Sequence, residues 1–302
     1  MAEMILGMDI GGTNLRMGLV DRALAAFHVE VTSSRDLFSC HNPLQALAEQ
    51  VLLYLDRHLG GEKPAMVCAG LPAVLDRSRR RVWSATNFPG LENRDVVAEL
   101  EALLGLPVVI EHDAYYLLAY DIMHEGLVNE GTMMGCYFGT GLGNAVFIDG
   151  KPYIGKNGTA CELGHMAVPL QQRLCSCGNR GCIEMFSCGK ALEQLARERF
   201  PEEPLGELFL RHGRSPYLQD FLSYMAAAVA TEINSLDPDG VFLGGGLIQM
   251  EGFPREELAR KILANTRKPY PAQNLSLYFS TPSPENGIIG AAVEGWRRLE
   301  GR

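Results

Sequence analysis

Met4-Ile5-Leu6-Gly7-Met8-Asp9-Ile10-Gly11-Gly12-Thr13-Asn14-Leu15-Arg16-Met17-Gly18-Leu19-Val20-Asp21 is the stretch whose reading decides the fold. An apolar run ends in an acid, Gly11-Gly12-Thr13-Asn14 follows, and a second apolar run ends in Asp21. This reads as strand, tight glycine turn, strand, with a third strand expected near residues 24–31. Glycines let backbone N–H groups approach a phosphate with no Cβ in the way, and Thr13 adds a hydroxyl. It is not a Walker loop, because no Gly-Lys-Ser/Thr follows. It is not a dinucleotide fingerprint either, because a strand pattern rather than a helix comes next. Alone, the hairpin is equally well a plain turn.

A second copy changes its weight. Residues 133–138 are apolar, Gly139-Thr140-Gly141-Leu142-Gly143-Asn144 follows, and Ala145-Val146-Phe147-Ile148-Asp149-Gly150 completes the pattern. Two such hairpins predict two similar α/β halves, each with a phosphate-binding turn. Strands alternate with helical patterns between the copies, at residues 43–58, 65–70, 95–104 and 107–110, then a helix to about 124. Asp113 falls just past the end of the strand at 107–110, where ligands bind in open α/β sheets. It is also placed to N-cap the following helix. Beyond the second hairpin, helices are expected at 187–200, 216–236, 254–265 and 288–299, and strands at 241–243 and 275–279. Gly244-Gly245-Gly246 after a strand is another place where backbone meets ligand. The small residues Gly290-Ala291-Ala292 suit close approach either to a nucleotide or to a neighbouring helix.

The stretch from Cys161 to Glu184 carries a different chemistry. His165, Cys175, Cys177 and Cys182 fall within 18 residues. One imidazole and three thiolates suit a closed tetrahedral Zn²⁺ site, structural because no position is left open for water or substrate. Glu162 and Glu184 flank the cluster without joining its ligand set. Cys188 lies past the motif and reads as a small buried apolar residue. Eight cysteines, four scattered and four near this motif, read as metal-binding rather than disulfide chemistry.

Composition bounds the rest. The 302 residues suit one large domain or two ordinary ones, with 47% hydrophobic and 21% charged residues. A net charge of -9, with no basic run longer than Arg79-Arg80-Arg81, argues against nucleic-acid binding. No apolar run approaches the ~20 residues of a membrane span, and no secretory leader is read, so a cytoplasmic protein is expected. The domains are expected at 1–118 and 119–302, with the last helix, about 287–302, available to pack back on the first.

Asp9-Ile10-Gly11-Gly12-Thr13-Asn14, Asn87, Asp113, Gly139-Thr140-Gly141-Leu142-Gly143, Glu162-Leu163-Gly164-His165, the run from Cys175 to Glu184 and Gly244-Gly245-Gly246 together resemble the ROK family, bacterial sugar kinases and related repressors. The resemblance covers essentially the whole chain. It implies the two-domain actin-like ATPase (ribonuclease H-like) α/β fold. With Asp9 almost at the start, no helix-turn-helix precedes the first turn, which favours the kinase side. Stretches around Glu111-His112-Asp113-Ala114-Tyr115, Glu184-Met185-Phe186-Ser187-Cys188-Gly189 and 247–255 look closest to the D-allose kinase branch. His112 and Tyr115 stand where many family kinases carry Asn, and Leu91 follows Asn87-Phe88-Pro89-Gly90 where Trp is common.

What the resemblance implies is transfer of the ATP γ-phosphoryl group to a hexose hydroxyl, O6, with D-allose as the expected acceptor. Asp113 would be the general base. Asn87, Glu162, His165 and Glu184 would bind sugar hydroxyls. Gly11, Gly12, Thr13 and Asn14, with Gly139, Thr140, Gly141 and Gly143, would hold the phosphates. Asp9 would lie near Mg²⁺, through water, and Gly244, Gly245 and Gly246 against the adenosine. A homodimer is also implied. The alternatives are a kinase for glucose, fructose, N-acetylmannosamine or N-acetylglucosamine, a non-catalytic sugar sensor, and a zinc-dependent interaction protein.

Overall fold

β1 (Ile5–Ile10) and β2 (Asn14–Val20) form the expected first hairpin, and β3 (Ala26–Ser33) adds an antiparallel third strand. The computed structural model describes residues 3–85, 88–127 and 130–301; Asn87 lies outside them. Two helices follow, a short α1 (Ser34–Phe38) and α2 (Pro43–Leu59), which is N-capped by Asn42 and closed by Gly60 in the left-handed region. β4 (Met66–Leu71) then returns parallel to β1. A small antiparallel sheet, β5 (Val74–Leu75), β6 (Arg81–Ser84) and β7 (Arg94–Asp95), precedes α3 (Val96–Leu104), whose N-cap is Asp95.

β8 (Val108–His112) pairs parallel to β4 and runs directly into α4 (Asp113–His124). The N-cap of α4 is His112, not Asp113; Asp113 is already the first helical residue. The main sheet therefore has the order β3-β2-β1-β4-β8.

The second half repeats this plan. β9 (Thr132–Phe138) and β10 (Leu142–Ile148) form the second hairpin, with β11 (Lys151–Pro152) at its edge. Helices α5 (Glu184–Ser187) and α6 (Gly189–Arg199) stand where one helix is expected from 187 to 200; the chain breaks at Cys188, which is extended and buried. After α7 (Leu208–His212), the alanine-rich α8 (Pro216–Leu236) runs to Asp237 in the left-handed region. β12 (Gly240–Gly244) follows, then α9 (Arg255–Asn265) and β13 (Leu277–Phe279). The sheet order β11-β10-β9-β12-β13 matches the first: an antiparallel three-strand meander, then two parallel strands. The duplicated hairpins thus belong to duplicated sheets.

The chain ends in α10 (Asn286–Leu299). Residues group into two compact units: 1–128, 154–160 and 283–302 in one, 129–153 and 161–282 in the other. The first of these segments runs past the end of α4 to residue 128. In the first unit the sheet is buried on both faces. Leu6, Met8 and Ile10 pack with Val51 and Leu55 of α2, while Ile5 and Cys68 pack with Ile288, Ala292 and Trp296 of α10. Its central strands are accordingly apolar along most of their length. The small residues of α10 serve this packing. A Cβ on Gly290 would sit 1.8 Å from the Tyr116 carbonyl oxygen of α4.

Candidate functional site

Two groups of side chains stand out, one in each unit. In the first, parallel pairing of β1, β4 and β8 brings their carboxyl ends level. Asp9 is opposite Gly70, Gly70 is opposite Glu111, and Asp113 follows two residues on. Asp9 is only 17% exposed and accepts from Arg16 Nη1 at 3.1 Å. The pairing with Arg16 that a purely structural acid would show is present. Its environment is nonetheless not that of a settled salt bridge. Burial, and then the charge of Asp113, push Asp9 up to about 6, and Arg16 only partly opposes this. Gly287, at the start of α10, abuts Asp9 so closely that a Cβ there would lie 2.8 Å from the carboxylate carbon.

Asp113 is about one-quarter exposed. Its Oδ1 accepts from the Ala114 N–H at 2.8 Å and lies 3.1 Å from His112 Nδ1. The first glycine turn follows Asp9 at the same end of β1. Gly11 N–H donates to the Asn14 carbonyl at 2.8 Å, and Ser34 ties the turn down through Ser34 Oγ to Gly11 O and Ser34 N to Thr13 O. Thr13 and Asn14 thus belong to a closed hairpin next to Asp9.

Sequence reasoning missed the support for this end of the sheet. Glu111 is buried and bonded by Arg79 Nε at 2.9 Å; Arg79 is itself buried and donates to the Gly158 carbonyl at 2.7 Å. Burial pushes the Glu111 carboxyl up, and the Arg79 charge opposes it. A buried pair of this kind costs several kcal/mol if one partner is removed, so it holds the turn before β6 against the end of β8. Glu111 was visible beside Asp113, but nothing in the chain pointed from it to Arg79.

In the second unit the glycine loop between β9 and β10 is clamped from two sides. Gly189 and Lys190, at the start of α6, donate their N–H groups to the Gly139 and Thr140 carbonyls at 2.8 and 3.2 Å. On the other side Leu247 N–H bonds the Phe138 carbonyl at 3.0 Å. Gly245 has φ +93, and a Cβ there would come within 2.5 Å of the Phe138 backbone. Of the three glycines 244–246, Gly245 is demanded by backbone packing against the loop. Gly246, like Gly139, faces open space.

The cysteine motif lies beside this loop. The ligand atoms of His165, Cys175, Cys177 and Cys182 all fall within 4.8 Å of one another. Cys177 Sγ is 3.6 Å from Cys182 Sγ, and Cys175 Sγ is 3.7 Å from His165 Nδ1. Tetrahedral bonds of ~2.3 Å to sulfur and ~2.0 Å to nitrogen require separations of about 3.8 and about 3.6 Å. The four donors therefore fit Zn²⁺, with Nδ1 as the histidine ligand. The chemistry agrees. Burial, then the neighbouring thiols, push Cys182 up to about 12, a cost that a dication at the centre reverses. The knuckle is shaped by Cys175 N–H to Asn179 O at 2.8 Å and Gly178 N–H to Cys175 O at 3.0 Å.

The flanking acids take different places. Glu162 is the more exposed and stands 3.5 Å from His165 Nε2, the nitrogen turned away from the cluster. Glu184 is 17% exposed, accepts from Cys175 Sγ at 3.2 Å, and lies beside Gly141 of the glycine loop. His165, Glu162, Glu184 and the loop 139–143 thus form one connected group. Arg173, which donates to the Met185 carbonyl at 2.7 Å and covers the Phe186 ring, ties the metal motif to α5.

No helix among the described residues is long and apolar enough to cross a membrane. The model of the ROK family matches residues 5–294. The N-acetyl-D-glucosamine kinase of Photobacterium profundum is 30% identical over 276 residues, spanning 86% of this chain and 89% of that protein. Among solved structures, a ROK hexokinase from Thermus thermophilus superposes with a TM-score of 0.78 at 24% identity, covering 99% of this chain and 100% of that one. A ROK family transcriptional regulator, a homologue of the E. coli MLC protein, gives 0.83 at 20% identity and covers 100% of this chain and 80% of that one. At these identities the structures speak for the fold alone. With a family match over nearly its whole length, duplicated α/β sheets and a fitting Cys₃His cluster, the chain belongs to the ROK family and has the two-domain fold of its sugar kinases.

Proposed function

We propose that this protein is an ATP-dependent hexose kinase that phosphorylates O6 of its sugar. The observation that carries the reading is the pair of carboxylates, Asp9 and Asp113, set at the ends of parallel strands β1 and β8 next to a glycine hairpin. A plain structural site has no use for two acids that repel one another. A phosphoryl-transfer site uses one near a cation and the other as base.

In this reading Asp113 takes the proton from O6 as the O6–P bond forms and the bond from the γ-phosphorus to the bridging oxygen breaks. ADP leaves with that electron pair. Asp9 would hold Mg²⁺ through water, and the ion would supply neutralisation of the charge on the phosphates. The turns 11–14 and 139–143 would receive phosphate oxygens through backbone N–H groups other than those of Gly11 and Gly139, which are bonded within the hairpins, and Gly246 offers an open backbone surface to the adenosine. Glu162, Glu184, His165 through Nε2, and Asn87 bind sugar hydroxyls. Zn²⁺ holds the segment carrying the first three in shape. A homodimer is part of the same proposal.

D-allose is the acceptor favoured by the stretches around Asp113, Glu184 and 247–255. N-acetyl-D-glucosamine is the second reading, favoured by the substrate in the name of relatives at up to 30% identity. The test is ADP release with Mg-ATP over a panel of D-allose, N-acetyl-D-glucosamine, N-acetylmannosamine, glucose and fructose. One sugar should stand out in kcat/KM, and Asp113→Asn should lower its kcat by roughly 10²–10⁴-fold. If no sugar stimulates turnover in zinc-replete protein, the kinase reading fails. If Asp113→Asn keeps full activity, Asp113 is not the base.

A further inference from the structure

Beneath the second glycine loop lies a polar group with no part in the reaction outlined above. Asn144 follows Gly143 directly and pairs across the hairpin with Cys136 of β9. Directly paired residues share a face of the sheet. Here that face meets α8 in a core of Met134, Phe138, Val146, Met225, Val229 and Ile233. At the edge of this apolar core α8 brings a half-buried carboxyl, Glu232. Asn144 Nδ2 donates to Glu232 Oε2 at 2.8 Å and to the Gly135 carbonyl at 3.0 Å, and Cys136 Sγ lies 3.8 Å from the same carboxyl oxygen. Asn144 is 2% exposed, and its Oδ1 has no hydrogen-bond partner among the described residues.

Two apolar side chains would fill this space at lower cost, since a half-buried carboxyl and a buried, half-satisfied amide are both unfavourable. No Lys, Arg or His is bonded to Glu232 among the described residues. The titratable groups that face it are Cys136 and, behind that thiol, Cys161. Burial, only partly opposed by the hydrogen bonds from Asn144 and Cys136, pushes the Glu232 carboxyl up to about 7. Burial also pushes the Cys136 thiol up, and it stays protonated. The carboxyl therefore changes charge close to neutrality, one hydrogen bond away from the residue that follows the loop 139–143.

We propose that Glu232 is a positioning residue for the nucleotide. Through Asn144 it braces the base of the second hairpin, and its protonation state sets how well the loop 139–143 receives a polyphosphate. The inference rests on the nucleotide-binding reading of that loop. Neutral Glu232 braces the hairpin without opposing the ligand. Ionised Glu232 places a negative charge behind the loop that receives phosphates of the same sign, and a repulsion that weakens binding by about tenfold is expected.

The test is calorimetric titration of the full chain with Mg-ADP, from about pH 6 to about pH 8.5, for the wild type and Glu232→Gln. The two should bind alike at about pH 6. Above about pH 8 the wild type should be about tenfold weaker, while the variant follows only the titration of the nucleotide. Near pH 7.5, repeating the titration in two buffers of different ionisation enthalpy should show net proton uptake by the wild type and none by the variant. Proton uptake has the opposite sign to the release expected when a protein captures a deprotonated phosphate. A brace with a merely structural role would change thermal stability and leave the proton count alone. Equal pH dependence in the two proteins, or no uptake by the wild type, overturns the proposal. If Glu232→Gln does not fold, the wild-type proton count decides by itself. If the wild type binds no nucleotide even at about pH 6, the reading of the loop has failed. If it binds with no contribution from Glu232, only the present inference has.

Discussion

Replacing Asp9 by Asn should stabilise the ligand-free protein and do so only at neutral and alkaline pH. Asp9 is raised from 3.8 to about 6, chiefly by burial and then by Asp113. Roughly two units at ~1.4 kcal/mol each set an upper bound of about 3 kcal/mol on the cost of keeping it ionised. Because 17% of the side chain is exposed, water screens part of that cost, and about 1–2 kcal/mol is expected. The sign follows from the raised value. The folded state holds the proton more tightly than the unfolded chain, so stability is fully present below the ordinary value and is lost as pH rises through about 6. Asn is neutral throughout and keeps an oxygen to accept from Arg16. Scanning calorimetry of both proteins should give the variant a Tm higher by about 2–8 °C at about pH 8, closing towards zero at about pH 4. Sugar-stimulated ADP release should meanwhile be lost if Asp9 serves the cation. A Tm difference that does not change with pH, or a variant that is the less stable at about pH 8, would refute the electrostatic account.

Removal of the metal should act through shape. Native mass spectrometry should show one Zn²⁺ per chain; chelation, or Cys182→Ser, should abolish it and open the segment 161–184 to protease before the rest of the protein unfolds, and a protease pattern identical to that of the zinc-loaded protein would count against a structural ion. Gly290→Ala should lower stability by about 1–3 kcal/mol or more, read as a fall in Tm, because its methyl would meet the Tyr116 carbonyl at 1.8 Å with both helices fixed. An unchanged Tm would mean that α10 can shift away from α4 at little cost.

Much of this protein was legible along the chain. Short-range chemistry specifies both hairpins: apolar strands of six or seven residues, and turns whose glycines and threonine suit tight, phosphate-accepting loops. The Cys₃His cluster was legible for the same reason, since four soft or borderline donors within 18 residues suggest a metal knot before any contact is known. Asp113 was correctly set at the end of a strand, although its neighbour His112 took the cap. Two acceptors competed for one N–H, and local pattern does not rank them.

Tertiary structure alone decided what depends on residues far apart. Arg79 meets Glu111 across 32 positions, and Asn144 meets Glu232 across 88. No window of sequence shows that either pair will be buried together. The glycines divide in the same way. Gly245 reads in sequence as ligand-facing and Gly290 as suited to either a nucleotide or a helix; at each, another backbone passes within contact of where a Cβ would sit. A glycine records only that a Cβ is not tolerated. Whether a phosphate, a strand or a helix takes the space is decided by how elements from distant parts of the chain pack, because burial and close approach are properties of the folded surface and not of the local chain.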